Sequence, residues 1–169
     1  GEIAPNVLVP GDPARASKIA SNWLTDSRLV MAQREFHSYT GFYNDVPISV
    51  ISTGIGCPSA TMVMQDLAKL GCKHVIRVGT AGSCNEGVKP GHNVIGTAAV
   101  RDEGLTSKFL PLSYPAVANI EIVNALIDAS KKQSAAIHAG IVHTSDAFSS
   151  PALSDDITLA KESNVLAFE

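Results

Sequence analysis

At 169 residues the chain has room for one domain, since a single hydrophobic core typically takes about 100–200 residues. Hydrophobic residues make up 45% and charged residues 17%, which is too apolar for a disordered chain. The net charge is −3, with no cluster of like charges, so neither a nucleic-acid groove nor a membrane-binding face is expected. No apolar run approaches the roughly 20 residues of a transmembrane helix.

Strand-like runs alternate with helical stretches, the pattern of an α/β fold around a substantially parallel sheet. Residues 6–9 (NVLV) form a short apolar strand that stops at Pro10-Gly11. Asp12 caps the following helix and Pro13 takes its first position, where a missing N–H costs nothing. A second strand over 47–52 runs into the glycine turn Thr53-Gly54-Ile55-Gly56. From Pro58 to about Leu70, apolar Ala60, Val63, Met64, Leu67 and Leu70 recur at helical spacing as a core stripe, and Gly71 ends the helix.

Strands follow over 74–79 and 92–99. Asn119 caps a helix running to about Lys132, with Glu121 in its first turn and Lys131 and Lys132 in its last, an order that suits the helix dipole. Residues 135–143 return to strand, 154–163 read as helix, and 165–168 read as strand. The apolar stop at Glu169 predicts that a C-terminal part of the single domain, 1–169, is missing. These residues alone are expected to be poorly soluble and inactive, because the sheet would expose an apolar edge. Cys57, Cys72 and Cys84 share no metal-ligand spacing and read as reduced thiols of a cytoplasmic protein.

Ligands of open α/β sheets sit beyond the carboxyl ends of the strands, and four strand ends carry suitable residues. In Pro10-Gly11-Asp12-Pro13-Ala14-Arg15, a helix N-terminus and an arginine one turn on suit an anion. In Arg77-Val78-Gly79-Thr80-Ala81-Gly82, an arginine inside an apolar strand is costly to bury unless an anion or carboxylate pairs with it. Thr53-Gly54-Ile55-Gly56-Cys57-Pro58-Ser59 lacks both the Walker lysine and the full dinucleotide fingerprint, so nucleoside triphosphates and dinucleotides are poorly supported. His143-Thr144-Ser145-Asp146-Ala147-Phe148 has the residues of a serine hydrolase, but no Gly-x-Ser-x-Gly elbow. Neighbours on a strand also face opposite ways. Arg34-Glu35, by local context, is a solvated surface pair.

Taken in order, these segments resemble the hexameric nucleoside phosphorylase family, which includes uridine phosphorylases and bacterial-type purine nucleoside phosphorylases. The likeness rests on Pro10-Gly11-Asp12-Pro13-x-Arg15, Arg34-Glu35, Ser52-Thr53-Gly54-Ile55-Gly56-x-Pro58-Ser59, Arg77-Val78-Gly79-Thr80-x-Gly82, Ser145-Asp146-x-Phe148 and Phe168-Glu169. It implies a mixed, largely parallel central sheet flanked by helices and incomplete at the C-terminus. It also implies phosphorolysis of a nucleoside to free base and ribose 1-phosphate. By the resemblance, Gly11, Arg15, Arg77 and Thr80 hold inorganic phosphate, and Arg34 reaches the phosphate of a neighbouring subunit. Arg77 and Thr80 are the implied catalytic pair.

Thr80, Ala81, Gly82, Phe148, Phe168 and Glu169 would line the nucleoside, with Glu169 the first acid of the family's Glu-Met-Glu segment. Glu35, Ile55 and Ser59 correspond to a monovalent-cation site, of the kind K+ fills, between subunits. No organic cofactor is implied. The implied partners are a nucleoside, phosphate and further copies of the chain, as a dimeric unit building to a hexamer.

Residues 34–58 and 114–119, and Phe168 before Glu169, look more like uridine phosphorylases. Against that, Ser149-Ser150-Pro151-Ala152-Leu153 lacks the Gln and Arg with which those enzymes read uracil, and the short spacing from Phe148 to Glu169 is more like the purine enzymes. A uridine-phosphorylase-like activity is preferred, with a purine nucleoside phosphorylase next. A nucleosidase of the same fold would have no need of Arg15, Arg34 and Arg77. A non-catalytic nucleoside-binding or storage protein is the remaining alternative.

Overall fold

The computed structural model describes residues 2–83, 85–147 and 153–169, with backbone alone over 153–156. Its contacts divide the chain into two units, Gly1–Gly79 and Thr80–Glu169.

The first unit opens with strand β1 (Asn6–Val9) and helix α1 (Pro13–Trp23). As its sequence dictates, Asp12 stands at the N-cap, and its side chain accepts from the Ala14 N–H at 2.9 Å. Strands β2 (Thr25–Gln33), β3 (Phe36–Tyr43) and β4 (Val46–Ile51) follow as an antiparallel meander. Helix α2 (Gly56–Lys69) and strand β5 (His74–Arg77) complete the unit. The sheet order is β2-β3-β4-β1-β5, and β1 lies parallel to both β4 and β5.

The hydrophobic pattern explains this layering. Alternate residues of a strand face opposite sides of the sheet. Val50 and half-buried Leu8 pack with Ala16, Ile19 and Ala20 of α1. Their neighbours Ile51, Val7 and Val9 pack with Leu67, Val63 and Met64 of α2. Of the predicted α2 stripe, Leu67 is buried and Val63 and Met64 are half-buried against the sheet, while Leu70 is 64% exposed. Leu70 is already the C-cap, and Gly71 at φ +77° turns the chain away.

The hairpin β2–β3 has no counterpart in the predicted elements. Nearly every residue of β2 is exposed, so no apolar alternation marks it. The turn between β3 and β4 did carry a signal. Asn44 and Asp45 both have positive φ, as a two-residue hairpin turn requires.

The second unit contains strand β6 (Asn93–Asp102), a short 3₁₀ turn (Thr106–Lys108), helix α3 (Ile120–Lys132), strand β7 (Ile137–Ser145), helix α4 (Leu153–Glu162) and strand β8 (Ala167–Phe168). Its sheet runs β6-β7-β8, all parallel. The α3 boundaries are those expected, with the Asn119 side chain accepting from Glu121 and Ile122 N–H. Strand β8 is shorter than the predicted 165–168, because its pairing with β7 begins only at Ala167, opposite Val142. The α/β class and the mixed, largely parallel pairing are thus as predicted. No helix among the described residues is long and apolar enough to cross a membrane.

Candidate functional site

In the first unit, β4, β1 and β5 run parallel, so their carboxyl ends share one edge. Strand β3 runs antiparallel to β4, which brings the β2–β3 turn, Arg34-Glu35, to that same edge. The edge is tied together through the backbone. Thr53 N–H donates to Pro10 O at 2.9 Å, Gly54 N–H to Gly11 O at 2.9 Å, and Val78 N–H to Val9 O at 3.2 Å. The Ser52 hydroxyl donates to Glu35 O at 2.6 Å and accepts from His37 N–H at 2.8 Å, anchoring the turn.

Four of the predicted phosphate residues gather here. Arg15 is half-buried on α1, and its Nη1 donates to Val78 O at 3.4 Å. A β-carbon placed on Gly11 would lie 3.8 and 3.9 Å from the two terminal nitrogens of Arg77. Arg34 is exposed at the hairpin tip, with φ +54°.

Arg77 differs from expectation. It is not buried in mid-strand but is the last residue of β5, and exposed. The strand stops there, so the guanidinium escapes the desolvation that a buried position would impose. Asp12 fills the cap of α1, which leaves the positive charge at this edge to the guanidinium groups.

Glu35, Gly54 and Ser59 are close neighbours. Gly54 has φ +71°, and a β-carbon there would come within 2.6 Å of both Glu35 Cγ and Ser59 Oγ. The Ser59 hydroxyl donates to Thr53 O at 2.6 Å. Ile55, next to Gly54, is 98% exposed.

In the second unit three of the six predicted nucleoside residues, Gly82, Phe168 and Glu169, meet at β8. Gly82 and Phe168 form an antiparallel bridge, with Gly82 N–H donating to Phe168 O at 3.1 Å and Phe168 N–H to Gly82 O at 2.7 Å. Glu169 N–H donates to His143 O at 2.9 Å. Thr80 and Ala81 open this unit and are exposed. Phe148 lies outside the described residues.

Sequence reasoning weighed His143 only within a serine-hydrolase set, and passed over Glu103 and Arg101. His143 is buried, stacks on Phe168 with ring centroids 5.0 Å apart, and places Nε2 3.3 Å from Asp102 Oδ2. Glu103, also buried, accepts from the N–H groups of Leu105 and Thr106 at 2.8 Å and from the Thr106 hydroxyl. Arg101 donates to the Thr106 hydroxyl and to the carbonyls of Leu110, Pro111 and Tyr114, fixing the loop after β6. For Arg101, Asp102 and Glu103 the signal in the sequence was the charged run they form at the close of an apolar strand.

Burial alone would raise the Glu103 pKa. The hydrogen bonds from Thr106 and Leu105 and the nearby Arg101 charge together outweigh it, and the net result is a carboxyl held below its ordinary 4.5. A lowered folded pKa means that this stabilisation is complete above the ordinary glutamate value and is lost as pH falls through the lower folded one. Glu103→Gln is therefore expected to destabilise the protein at pH 7 and to reduce its loss of stability below about pH 4.5. Thermal unfolding of both proteins across that range measures this. Parallel melting curves at every pH would contradict it.

The pattern of the Phosphorylase superfamily matches residues 5–167. The chain belongs to that superfamily. Uridine phosphorylase of Thermococcus kodakarensis is 43% identical over 148 residues, 88% of this chain and 53% of that protein. Guanosine phosphorylase of Halorubrum lacusprofundi is 32% identical over 148 residues, 88% of this chain and 61% of that protein. The crystal structure of uridine phosphorylase from Vibrio fischeri ES114 superimposes with a TM-score of 0.96 at 28% identity, covering 99% of this chain and 70% of that one. The chain spans about half the length of the uridine phosphorylase it matches in T. kodakarensis. The fold is therefore that of the phosphorylase superfamily, as the ordered motifs implied.

Proposed function

We propose that this chain carries the phosphate site and part of the nucleoside site of a nucleoside phosphorylase, with uridine as preferred substrate. The observation that carries the reading is the edge where Gly11, Arg15 and Arg77 meet, on a chain 43% identical to a uridine phosphorylase. Guanidinium groups form strong charge-assisted hydrogen bonds to phosphate oxygens, and several at one strand edge suit a dianion.

In the proposed reaction a phosphate oxygen attacks the anomeric carbon of the ribose. A C–O bond forms, the C–N bond to the base breaks, and the base leaves with the bonding pair and acquires a proton. Positive charge develops on the sugar in the transition state. Phosphate held by Gly11, Arg15, Arg77 and Thr80 places negative charge against it, so positioning and electrostatics supply the catalysis. Ala81, Gly82, Phe168 and Glu169 take the nucleoside, together with Phe148. Arg34, exposed at a hairpin tip, reaches the phosphate of a neighbouring subunit in a dimeric unit that builds to a hexamer.

Glu35 carboxylate, Ser59 hydroxyl and the Ile55 carbonyl form an all-oxygen set that suits a monovalent cation such as K+. The close approach of Glu35 and Ser59 across Gly54 supports this assignment. A bound cation would neutralise Glu35 and steady the adjoining Arg34. No organic cofactor is invoked, and the proposed setting is cytoplasmic.

The reading is tested by incubating the whole natural protein with uridine, inosine, guanosine and adenosine, with and without inorganic phosphate, and following free base by chromatography. Release only with phosphate, fastest from uridine, is the expected result. Preference for a purine nucleoside would shift the assignment toward the guanosine phosphorylase relative. Equal release without phosphate would make water the nucleophile and overturn the arginine roles. Saturable binding with no release would point to a binding protein.

A further inference from the structure

We propose that His143 is a positioning residue for the nucleoside: held by Asp102, its ring clamps Phe168 and so fixes the Phe168-Glu169 strand end. The inference rests on the reading of those two residues as nucleoside contacts.

Strand β8 (Ala167–Phe168) pairs in parallel with β7 and is bridged by Gly82. Its backbone is held by Leu166 N–H to Ile141 O at 2.8 Å, Glu169 N–H to His143 O at 2.9 Å, Ser145 N–H to Glu169 O at 3.4 Å, the Ser83 hydroxyl to Leu166 O at 2.6 Å, and the paired bonds between Phe168 and Gly82. His143 and Phe168 are register partners on parallel neighbours, so their side chains leave the same face of the sheet. Their rings are 5.0 Å apart and inclined by 26°, an offset stack.

A second observation fixes the histidine itself. Its side chain is only 8% exposed, and a buried imidazole needs a hydrogen-bond partner. Asp102, the last residue of β6, provides one at 3.3 Å. Its own carboxylate stays largely in water, so the tether adds little desolvation. The chain of contacts thus runs from β6 through β7 to β8: Asp102 orients the imidazole, the imidazole faces the Phe168 ring, and Phe168 pairs with Gly82.

The test combines two readouts on the whole natural protein. Amide hydrogen exchange at Phe168 and Glu169 is expected to quicken about fivefold in His143→Ala and to return toward the native rate in His143→Phe, which keeps a ring. Asp102→Ala, which spares the buried ring, is expected to give a smaller change. Amides of Ile95 and Val123, in β6 and α3, serve as the folding control and should not change. In steady-state kinetics, His143→Ala should raise the nucleoside KM about fivefold and leave the phosphate KM unchanged.

Unaltered exchange at Phe168 and Glu169 in His143→Ala would overturn the clamp. Altered exchange with both KM values moving together would overturn its role toward the nucleoside. If the unsubstituted protein releases no base with phosphate, the proposed reaction fails instead. The exchange rates would still decide the clamp.

Discussion

Arg77→Ala is expected to lower kcat/KM for phosphate about a thousandfold, the scale on which single electrostatic partners of a transition state act. Arg77 closes β5, and its terminal nitrogens sit beside the position a β-carbon on Gly11 would take. Because the residue is exposed at a strand end, its loss should cost the fold little, and a native melting curve should accompany the kinetic defect. Arg77→Lys should recover only part of the rate. An ammonium keeps the charge but loses the planar fork that binds two phosphate oxygens at once. Arg15→Ala should be damaging through two routes, since Arg15 also donates to Val78 O and thereby ties α1 to the end of β5. Steady-state kinetics with phosphate varied at saturating uridine make the comparison. An Arg77→Ala enzyme with native phosphate dependence would remove Arg77 from the reaction.

Gly41→Ala is expected to destabilise the protein by about 2–4 kcal/mol, the range of overpacking against atoms that cannot move aside. A β-carbon at Gly41 would lie 2.7 Å from Thr25 O, 2.9 Å from Ser27 Cα and 3.1 Å from Leu24 Cβ. Two of these are backbone, so no rotamer change relieves the contact. The start of β2 must shift, where the β2–β3 pairing already has an irregularity between Thr25 and Arg28. For a chain of this size the loss corresponds to a fall in Tm of roughly 5–15 °C. The defect should reach the site as well, because the same hairpin carries Arg34 and Glu35 at its far end. Differential scanning calorimetry measures it. A Tm within about 1 °C of the parent would show that β2 gives way freely.

Gly54→Ala makes an instructive contrast. There the clashing atoms are side-chain atoms of Glu35 and Ser59, which can rotate away, and the strain comes in addition from φ +71°.

Local chemistry was enough to place much of this chain. Asp12-Pro13 and Asn119 fix where α1 and α3 begin, because a cap side chain and a proline act on backbone groups within a turn of themselves. Alternating and helical apolar spacing placed the cores of β1, β4 and α2 for the same local reason. The ordered motifs carried the family resemblance, and with it Gly11, Arg15, Arg77, Phe168 and Glu169.

Other features depended on partners distant in the chain. The exposed strand β2 exists through pairing with β3, not through its own apolar pattern. Arg77 lies in an apolar run, and only the point at which β5 stops pairing decides that it faces water. His143 looked like one polar residue among several. Its meaning came from Asp102 on one neighbouring strand and Phe168 on the other. Sequence by itself determined what caps and spacing dictate within a few residues. Tertiary structure decided strand pairing, exposure at strand ends and the company of buried polar groups, because each depends on residues brought together only when the sheet closes.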